Sequence, residues 1–556
     1  MTAHQSIQAQ LEPYAAKDWW RGAVIYQVYP RSFQDSNGDG IGDLPGITQR
    51  LDHIASLGVD AIWISPFFKS PMADYGYDVE DYRQVDPIFG ALEDFDLLLE
   101  RSHAQGLKLL VDLVPCHTSD RHLWFQEARQ SRENAKADWY VFTDPRPDGT
   151  PPNNWLSVFG GAAWSWEPRR GQYFLHHFLP SQPALNWHNP DVARAVVCEA
   201  EYWLERGIDG FRVDAIDFAL HDPELRDNPI RPPDLPLAGG MSPGTPYAHQ
   251  VHIRQKGHPD LPQKVLRPLR DLADRHGGVL LLGELSGYDA LDRLATYTSG
   301  GGLDVAYTFD LLHCEPTAAA IRTVVTALEA KIEGGWACWS LSNHDVMRAV
   351  SRLGGDTSSA ATLQPLMTAM LCCLRGTICL YQGEELALTE AELAFEDLHD
   401  PYGIAFYPTF KGRDGCRTPM PWHGDAAFGG FSVTKPWLPV PADHFAHAVD
   451  RQERDAGSVL DRTRCFLKWR RGQPALRLGK LHFLDTPEPV LAMVREHRGV
   501  ALLCLFNLDR APATFTSPAS LTPQSGHGFD AEIDGTLVKL PGYGAFFGTL
   551  GEGDHG

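Results

Sequence analysis

Eight short runs of apolar and β-branched residues recur between Ala23 and Gln382, and no other feature of the chain limits its fold as tightly. They are Ala23–Pro30, Val59–Pro66, Leu107–Pro115, Gly210–Ile216, Val279–Leu285, Leu303–Phe309, Ala337–Asn343 and Thr377–Gln382. The runs are continuous rather than alternating, as parallel strands buried on both faces require. Helical periodicity fills the gaps. Its clearest instance is Ile321, Val324, Val325, Leu328 and Ile332, spaced i, i+3, i+4, i+7 and i+11, with others over Ile47–Leu57, Leu92–Gln105, Val192–Arg206 and Thr362–Leu374. Strands alternating with helices predict an α/β fold, a (β/α)8 TIM barrel, whose chemistry sits on the loops at the C-terminal ends of the strands. A doubly wound sheet would instead collect its polar groups at one switch point.

Two connections are too long for ordinary barrel loops. Roughly seventy residues, His117 to Asn189, rich in Pro, Trp and Gly, separate the third strand from its helix and predict an inserted subdomain. A second insert, His221 to Pro262, follows the fourth strand and is expected to overhang the same face and shape an entrance. After a helix-like Val459–Arg471, the runs Val490–Val494, Val500–Phe506, Leu537–Leu540 and Gly544–Leu550 are spaced by turn residues and predict a C-terminal all-β domain. The expected division is therefore barrel over 1–116, inserted subdomain over 117–189, barrel again over 190–478, and a β-sandwich-like domain over 479–556.

Composition excludes several classes of function. Lys and Arg number 49 against 71 Asp and Glu, a net charge of −22, and a field of that sign repels phosphate backbones and anionic membranes. Nucleic acid and membrane are therefore not expected as partners. The 10 cysteines form no C-x-x-C pair, so neither a disulfide scaffold nor a zinc site is expected, and free thiols fit a reducing compartment. With no apolar signal region in Met1–Trp20 and no apolar run of about 20 residues, the expected location is cytoplasmic.

Ionisable residues gather where the barrel rule looks for them. Strand three ends in Asp112-Leu-Val-Pro-Cys-His117, strand four carries Arg212 and Asp214, strand five ends at Glu284, and strand seven ends in Asn343-His344-Asp345. Singly, each has a plainer reading: Asp214 as a partner for Arg212, His117 as a satisfied core histidine, Asp345 as a helix cap. Together, on strands three, four, five and seven, they make a buried cluster with surplus negative charge, which is costly unless it performs chemistry. Glycosyl transfer suits the set. Two carboxylates about 5–5.5 Å apart support retaining displacement, while a third can stabilise positive charge at the anomeric carbon and raise the pKa of the acid. Phosphoryl transfer, the rival for a ring of carboxylates, lacks its Gly-rich cradle here.

The segments Val24-Ile-Tyr-Gln-Val-Tyr-Pro-Arg-Ser-Phe33, Asp112–His117, Gly210-Phe-Arg-Val-Asp214, Gly283-Glu284, Ser342-Asn-His-Asp345 and Tyr381-Gln-Gly-Glu-Glu385, in this order, resemble glycoside hydrolase family 13, the α-amylase superfamily. The likeness is to its exo-acting α-glucosidase and oligo-1,6-glucosidase branch and covers nearly the whole chain. It implies Asp214 as nucleophile, Glu284 as acid/base and Asp345 as the transition-state-stabilising carboxylate. It further implies a glucose pocket in which Asp74 and Tyr77 meet the terminal sugar and His117, Arg212 and His344 serve its hydroxyls, with Phe159 and Phe178 as apolar walls. Arg413 is the expected arginine on glucose hydroxyls, and Arg417 is the alternative. No organic cofactor is implied. The expected ligands are small α-glucosides with sugar or phenolic acceptors, and the oligomeric state is open.

Asp35-Ser-Asn37-Gly-Asp39-Gly-Ile41-Gly-Asp43 sets oxygen groups at alternate positions around glycines, with Ile41 offering its carbonyl. Gly46 at the twelfth position rules out an EF-hand, and a polar turn without metal is the plainer reading. The resemblance implies a structural divalent cation, calcium or magnesium, with no part in bond cleavage. The chain departs from its family at Cys116, where an Asn often precedes the histidine, and at Ala184, where a carboxylate is usual. Ala215, directly after Asp214, resembles the maltase-like members rather than the isomaltase-like ones with Val, so α-1,4 linkages are expected over α-1,6. The resulting expectation is a retaining exo-α-glucosidase that also transglucosylates. The alternative is an isomerising member such as a sucrose isomerase or trehalose synthase.

Overall fold

The computed structural model describes residues 18–238, 241, 244–332, 334–355 and 359–551. Eight parallel strands, β1 (Val24–Val28), β2 (Ala61–Ile64), β3 (Lys108–Leu113), β4 (Gly210–Val213), β5 (Leu280–Leu285), β6 (Val305–Thr308), β7 (Cys338–Trp339) and β8 (Thr377–Tyr381), pair in the order β6-β5-β4-β3-β2-β1-β8-β7. A parallel bridge from Ala306 to Ala337 joins the two ends of that order and closes the barrel. Each strand lies inside one of the eight apolar runs. Every residue of β1, β2, β4, β5, β6, β7 and β8 is buried, which is why the runs are continuous rather than alternating.

The surrounding helices begin and end for local reasons. Pro190–Arg206 starts with Pro190 in its first turn, takes the Asp191 N–H on the Asn189 side chain at 2.9 Å, and stops at Gly207 with φ 103°. It lays Val192, Val196, Ala200, Trp203 and Leu204 on the barrel, delivering the chain to β4. At the start of β4, a Cβ on Gly210 would sit 2.3 Å from the Leu280 carbonyl oxygen, so only glycine allows β4 and β5 to close up there. The predicted stripe is buried at Ile321, Val325 and Leu328 in helix Ala318–Glu329, and Ile332 packs just beyond its end.

Two predicted elements come out differently. The helix expected over Ile47–Leu57 is broken into Leu44–Gln49 and Leu51–Ser56 at Arg50, whose side chain is drawn aside to Gln34 and lies over the Trp422 ring at 4.3 Å. The strand expected over Ala337–Asn343 is only two residues long, because the chain leaves the barrel after Trp339 to present the Ser340–Asp345 loop.

The excursion after β3 carries helix Leu123–Ala128 and a three-stranded antiparallel sheet with Gln172–Leu175 between Phe142–Thr143 and Trp164–Glu167. Its own apolar centre is Val141, Trp155, Ala163, Trp164, Leu175 and Ala184, and a bridge between His117 and Ala184 pins its neck. Past helix Val459–Arg471, a five-stranded and a three-stranded antiparallel sheet face each other across Val490, Ala492, Leu503, Leu505, Val538, Leu540 and Phe546. Arg495, fully buried in this C-terminal domain, donates to the carbonyls of Cys373 and Leu374 at the end of barrel helix Ala360–Cys373. The cysteines are free thiols, and among the described residues no helix is long and apolar enough to cross a membrane.

Candidate active site

Alternation along the barrel strands builds the site. Residues two apart on a strand face the same way, and the barrel interior is filled by Ile25, Ala61, Trp63, Leu110, Leu282, Val305 and Tyr307. One step beyond Leu110 on β3 is Asp112, and one beyond Leu282 on β5 is Glu284. Arg212 stands in register with both Asp112 and Leu282, and Asp214 follows one step later at the end of β4. An apolar layer therefore gives way to a charged one at the C-terminal ends of the strands.

Arg212 is the hub of that layer. Fully buried, it donates from Nη1 to Asp112 Oδ1 at 2.8 Å and Asp214 Oδ1 at 2.5 Å, and from Nη2 to the Tyr307 hydroxyl at 2.9 Å, with a further ion pair to Glu284. The plain pairing of Asp214 with Arg212 is thus present, but one cation faces three carboxylates. Burial, opposed by Arg212 and reinforced by Asp112 and Asp345, pushes Asp214 up to about 7. Burial likewise outweighs Arg212 and lifts Asp112 to about 6.

Asp345 has the opposite setting. Burial pushes it up, but the guanidiniums of Arg413 and Arg417 outweigh that and hold the carboxyl well below the usual carboxylate range. Its Oδ1 takes Arg417 Nη2 at 2.9 Å and Arg413 Nη1 at 3.2 Å, and its backbone N–H donates to Asn343 Oδ1. It caps no helix. His344 accepts from Gln27 Nε2 at 2.7 Å on Nδ1, meets the Tyr77 hydroxyl at 2.5 Å through Nε2, and lies flat against the Tyr77 ring at 5.4 Å; burial drops its pKa to about 3, so it is neutral.

The loops after β2, β3 and β8 complete the site. Asp74 accepts from Arg413 Nη2 at 2.8 Å and Gln182 Nε2 at 3.0 Å. Arg413 also reaches Asp400 at 2.8 Å, so three carboxylates from separate loops, Asp74, Asp345 and Asp400, converge on this guanidinium. His117 lies 3.0 Å from the Tyr77 carbonyl, and burial lowers its pKa to about 4. Cys116, which replaces the usual Asn, sits 3.2 Å from His117 Nδ1, and burial raises its thiol well above the ordinary range, so it faces the ring as S–H.

These groups surround a cavity of about 620 Å³ lined by Asp74, Tyr77, His117, Phe159, Phe178, Asp214, Ala215, Glu284, Asp345 and Arg413. Phe159 stacks on Tyr402 at 5.1 Å beneath the Arg413 guanidinium, and Phe178 packs edge-on to His117. Arg212 and His344 do not line the cavity; both are fully buried behind it and act on it through Asp214, Glu284 and Asp345. Of the two candidate arginines, Arg413 lines the cavity and Arg417 does not. Ala215 turns the chain sharply away from β4 with φ 38°.

Sequence reasoning passed over Met241, Tyr247 and Lys256, which the second insert contributes to the same cavity, and Asp400, the fixed partner of Arg413. They lie on irregular loops with no periodic signal; Asp400 announces itself only as the cap of the short helix Pro401–Phe406.

The Asp35–Asp43 loop folds onto its own backbone. Asp35 accepts N–H groups of Asn37, Gly38 and Gly40 and the Ser432 hydroxyl, Asp43 those of Ser36 and Gly46, Asn37 that of Asp39, and Asp39 that of Ile41. Carboxylate, amide and carbonyl oxygens are the donor set a hard cation takes, and each keeps lone pairs beyond these bonds. Among the described residues, no three His, Cys, Asp or Glu side chains converge as a metal centre.

Residues 27–479 match the model of the α-amylase catalytic domain. The chain is 52% identical to a probable α-glucosidase of Rhizobium meliloti (strain 1021) over 99% of this chain and 100% of that one. It is 34% identical to an oligo-1,6-glucosidase of Heyndrickxia coagulans, over 90% and 94%. Among solved structures, an α-glucosyl transfer enzyme superposes with a TM-score of 0.94 at 56% identity, covering 96% of this chain and 99% of that one. A trehalulose synthase from Pseudomonas mesoacidophila MX-45 superposes with a TM-score of 0.86 at 32% identity, over 96% and 99%.

Proposed function

The chain belongs to the α-amylase catalytic-domain family and is a glycoside hydrolase; from that premise we propose that it is a retaining exo-α-glucosidase, preferring α-1,4 over α-1,6 linkages, that also transfers glucose to other hydroxyls. The observation that carries this reading is Arg212 gripping Asp214 through one Nη atom and Glu284 through the other. A guanidinium that meets both carboxylates keeps them close to one another, which supports the arrangement of retaining enzymes, usually about 5–5.5 Å, over that of inverting ones, at about 6.5–9.5 Å.

In this reading Asp214 attacks the anomeric carbon while Glu284, as the acid, protonates the glycosidic oxygen. A proton on Glu284 weakens its hold on Arg212 and frees it to reach that oxygen. Asp345, kept ionised by Arg413 and Arg417, faces the positive charge that develops on the sugar. Water or an acceptor hydroxyl, deprotonated by Glu284, then releases the β-glucosyl ester from Asp214 with net retention. The Asp74–Arg413–Asp345 bridge supports the exo mode, since it joins separate loops across the cavity wall against which the terminal glucose would lie.

The apolar groups Met241, Phe309, Val346, Met347 and Phe410 that share the cavity suit phenolic as well as sugar acceptors. The Asp35–Asp43 loop is proposed to hold a structural divalent cation, calcium or magnesium by the hardness of its oxygens, through Asp35, Asn37, Asp39, Asp43 and the Ile41 carbonyl, the three carboxylates drawing in on the ion from the backbone N–H groups they now accept. Ten free thiols favour a reducing, cytoplasmic setting.

Time-resolved NMR with maltose and, separately, isomaltose tests the reading. The expected result is early α-glucose, faster from maltose. Early β-glucose would overturn the retaining mechanism, faster isomaltose cleavage the linkage preference, and an isomerised disaccharide without free glucose would favour the isomerase reading that the trehalulose synthase likeness keeps in view.

A further inference from the structure

The second insert reaches into the cavity with one cation. Lys256, 5% exposed, donates from Nζ to Ser286 Oγ at 2.6 Å, lies 3.4 Å from Asp217 Oδ2, and sits over the Phe218 ring at 4.5 Å. Asp217 stands three residues after Asp214, and Ser286 two after Glu284. The ammonium therefore bridges the loops that carry the two reacting carboxylates, and Lys256, Ser286 and Glu284 line one cavity.

Charge balance accounts for only part of this placement. Asp217 also takes Arg293 Nη1 at 2.9 Å, an arginine shared with Asp289, so Lys256 completes two carboxylates against two cations, but that pairing does not by itself require an ammonium that lines the cavity. An ammonium carries three N–H donors, and protein oxygens take two, one of them at long range.

We propose that Lys256 is a specificity-determining residue of the leaving-group side, donating a hydrogen bond to a hydroxyl of the departing sugar or of an incoming sugar acceptor, so that polyhydroxylated groups are favoured over apolar ones at this position. The inference rests on the α-glucosidase reading above and deepens it. Apolar aglycones use the aromatic and methionine lining and have no hydroxyl for Lys256 to hold.

The test compares K256M with wild type on maltose and on p-nitrophenyl α-glucoside. K256M leaves Arg293 on Asp217, and its aryl-glucoside turnover reports that the site is intact. The expected result is a fall in kcat/KM for maltose of about 10–100-fold, the worth of a charged hydrogen bond, with the aryl glucoside changed by less than about twofold, within the range of a neutral contact. A parallel fall on both substrates would make Lys256 a tie between the two loops and overturn the proposal, as would no change on either. Should K256M not fold, K256Q, which keeps a donor without the charge, is compared in the same way and must show a split in the same direction and smaller in size, maltose falling more than the aryl glucoside. Wild type that frees glucose from neither substrate would instead overturn the α-glucosidase reading, a separate outcome.

Discussion

At the scale of single residues, the site works by opposing burial with charge unequally at three carboxylates. Asp345 faces two arginines and stays ionised at any working pH, whereas Asp214 shares Arg212 with Asp112 and Glu284 and rises to about 7. A nucleophile must be ionised, so activity rises with pH through that value and is lost below it as Asp214 gains its proton. The expected profile of kcat/KM has an acidic limb between about 6 and 7, measured by initial rates across pH at low substrate; a limb near 4 would show that Arg212 dominates over burial. Ala215 offers a second test. It lines the cavity at φ 38°, where a β-branched side chain is strained as well as bulky. Ala215→Val is expected to lower stability and to shift the maltose-to-isomaltose ratio of kcat/KM toward isomaltose by about 1–3 kcal/mol. The ratio does not depend on the fraction folded, so an unchanged ratio would contradict the role of Ala215 in linkage choice.

At the scale of elements, legibility followed periodicity. The barrel strands were readable because continuous burial leaves a continuous apolar run, and Asp112, Arg212, Asp214 and Glu284 were readable because they extend those strands in step. Lys256, Tyr247, Met241 and Asp400 were not, since loops place side chains through individual contacts that leave no pattern in sequence. The break at Arg50 is of the same kind: the segment is helical in pattern, and where it is interrupted Arg50 reaches Gln34 and Trp422, contacts that leave no periodic trace in the sequence. The Asp35–Asp43 loop is an element whose oxygens already bind its own N–H groups. If it also holds a cation, chelation removes binding energy from the folded state alone. Treatment with EDTA is then expected to lower Tm by several degrees, with calcium restoring it and kcat little changed at a temperature where the apo-protein is folded; an unchanged Tm would leave the loop as a self-satisfied turn.

At the scale of the whole molecule, the closed barrel, the excursion after β3 and the second insert bring groups far apart in sequence to one cavity. Arg413 alone joins Asp74, Asp345 and Asp400. The net charge of −22 and the absence of a phosphate cradle fit a neutral sugar ligand, and a cavity of about 620 Å³ is of the size that small-molecule sites have. The account stands on one claim above the others, that Asp214 becomes covalently bonded to glucose. Mass spectrometry of peptides from enzyme quenched during turnover of 5-fluoro-α-glucosyl fluoride, a substrate whose glucosyl ester persists, tests it directly. The account predicts a fluoroglucosyl adduct on the peptide containing Asp214 and on no other. Fluoride release with that peptide unmodified, or with the adduct on a different carboxylate, would contradict it.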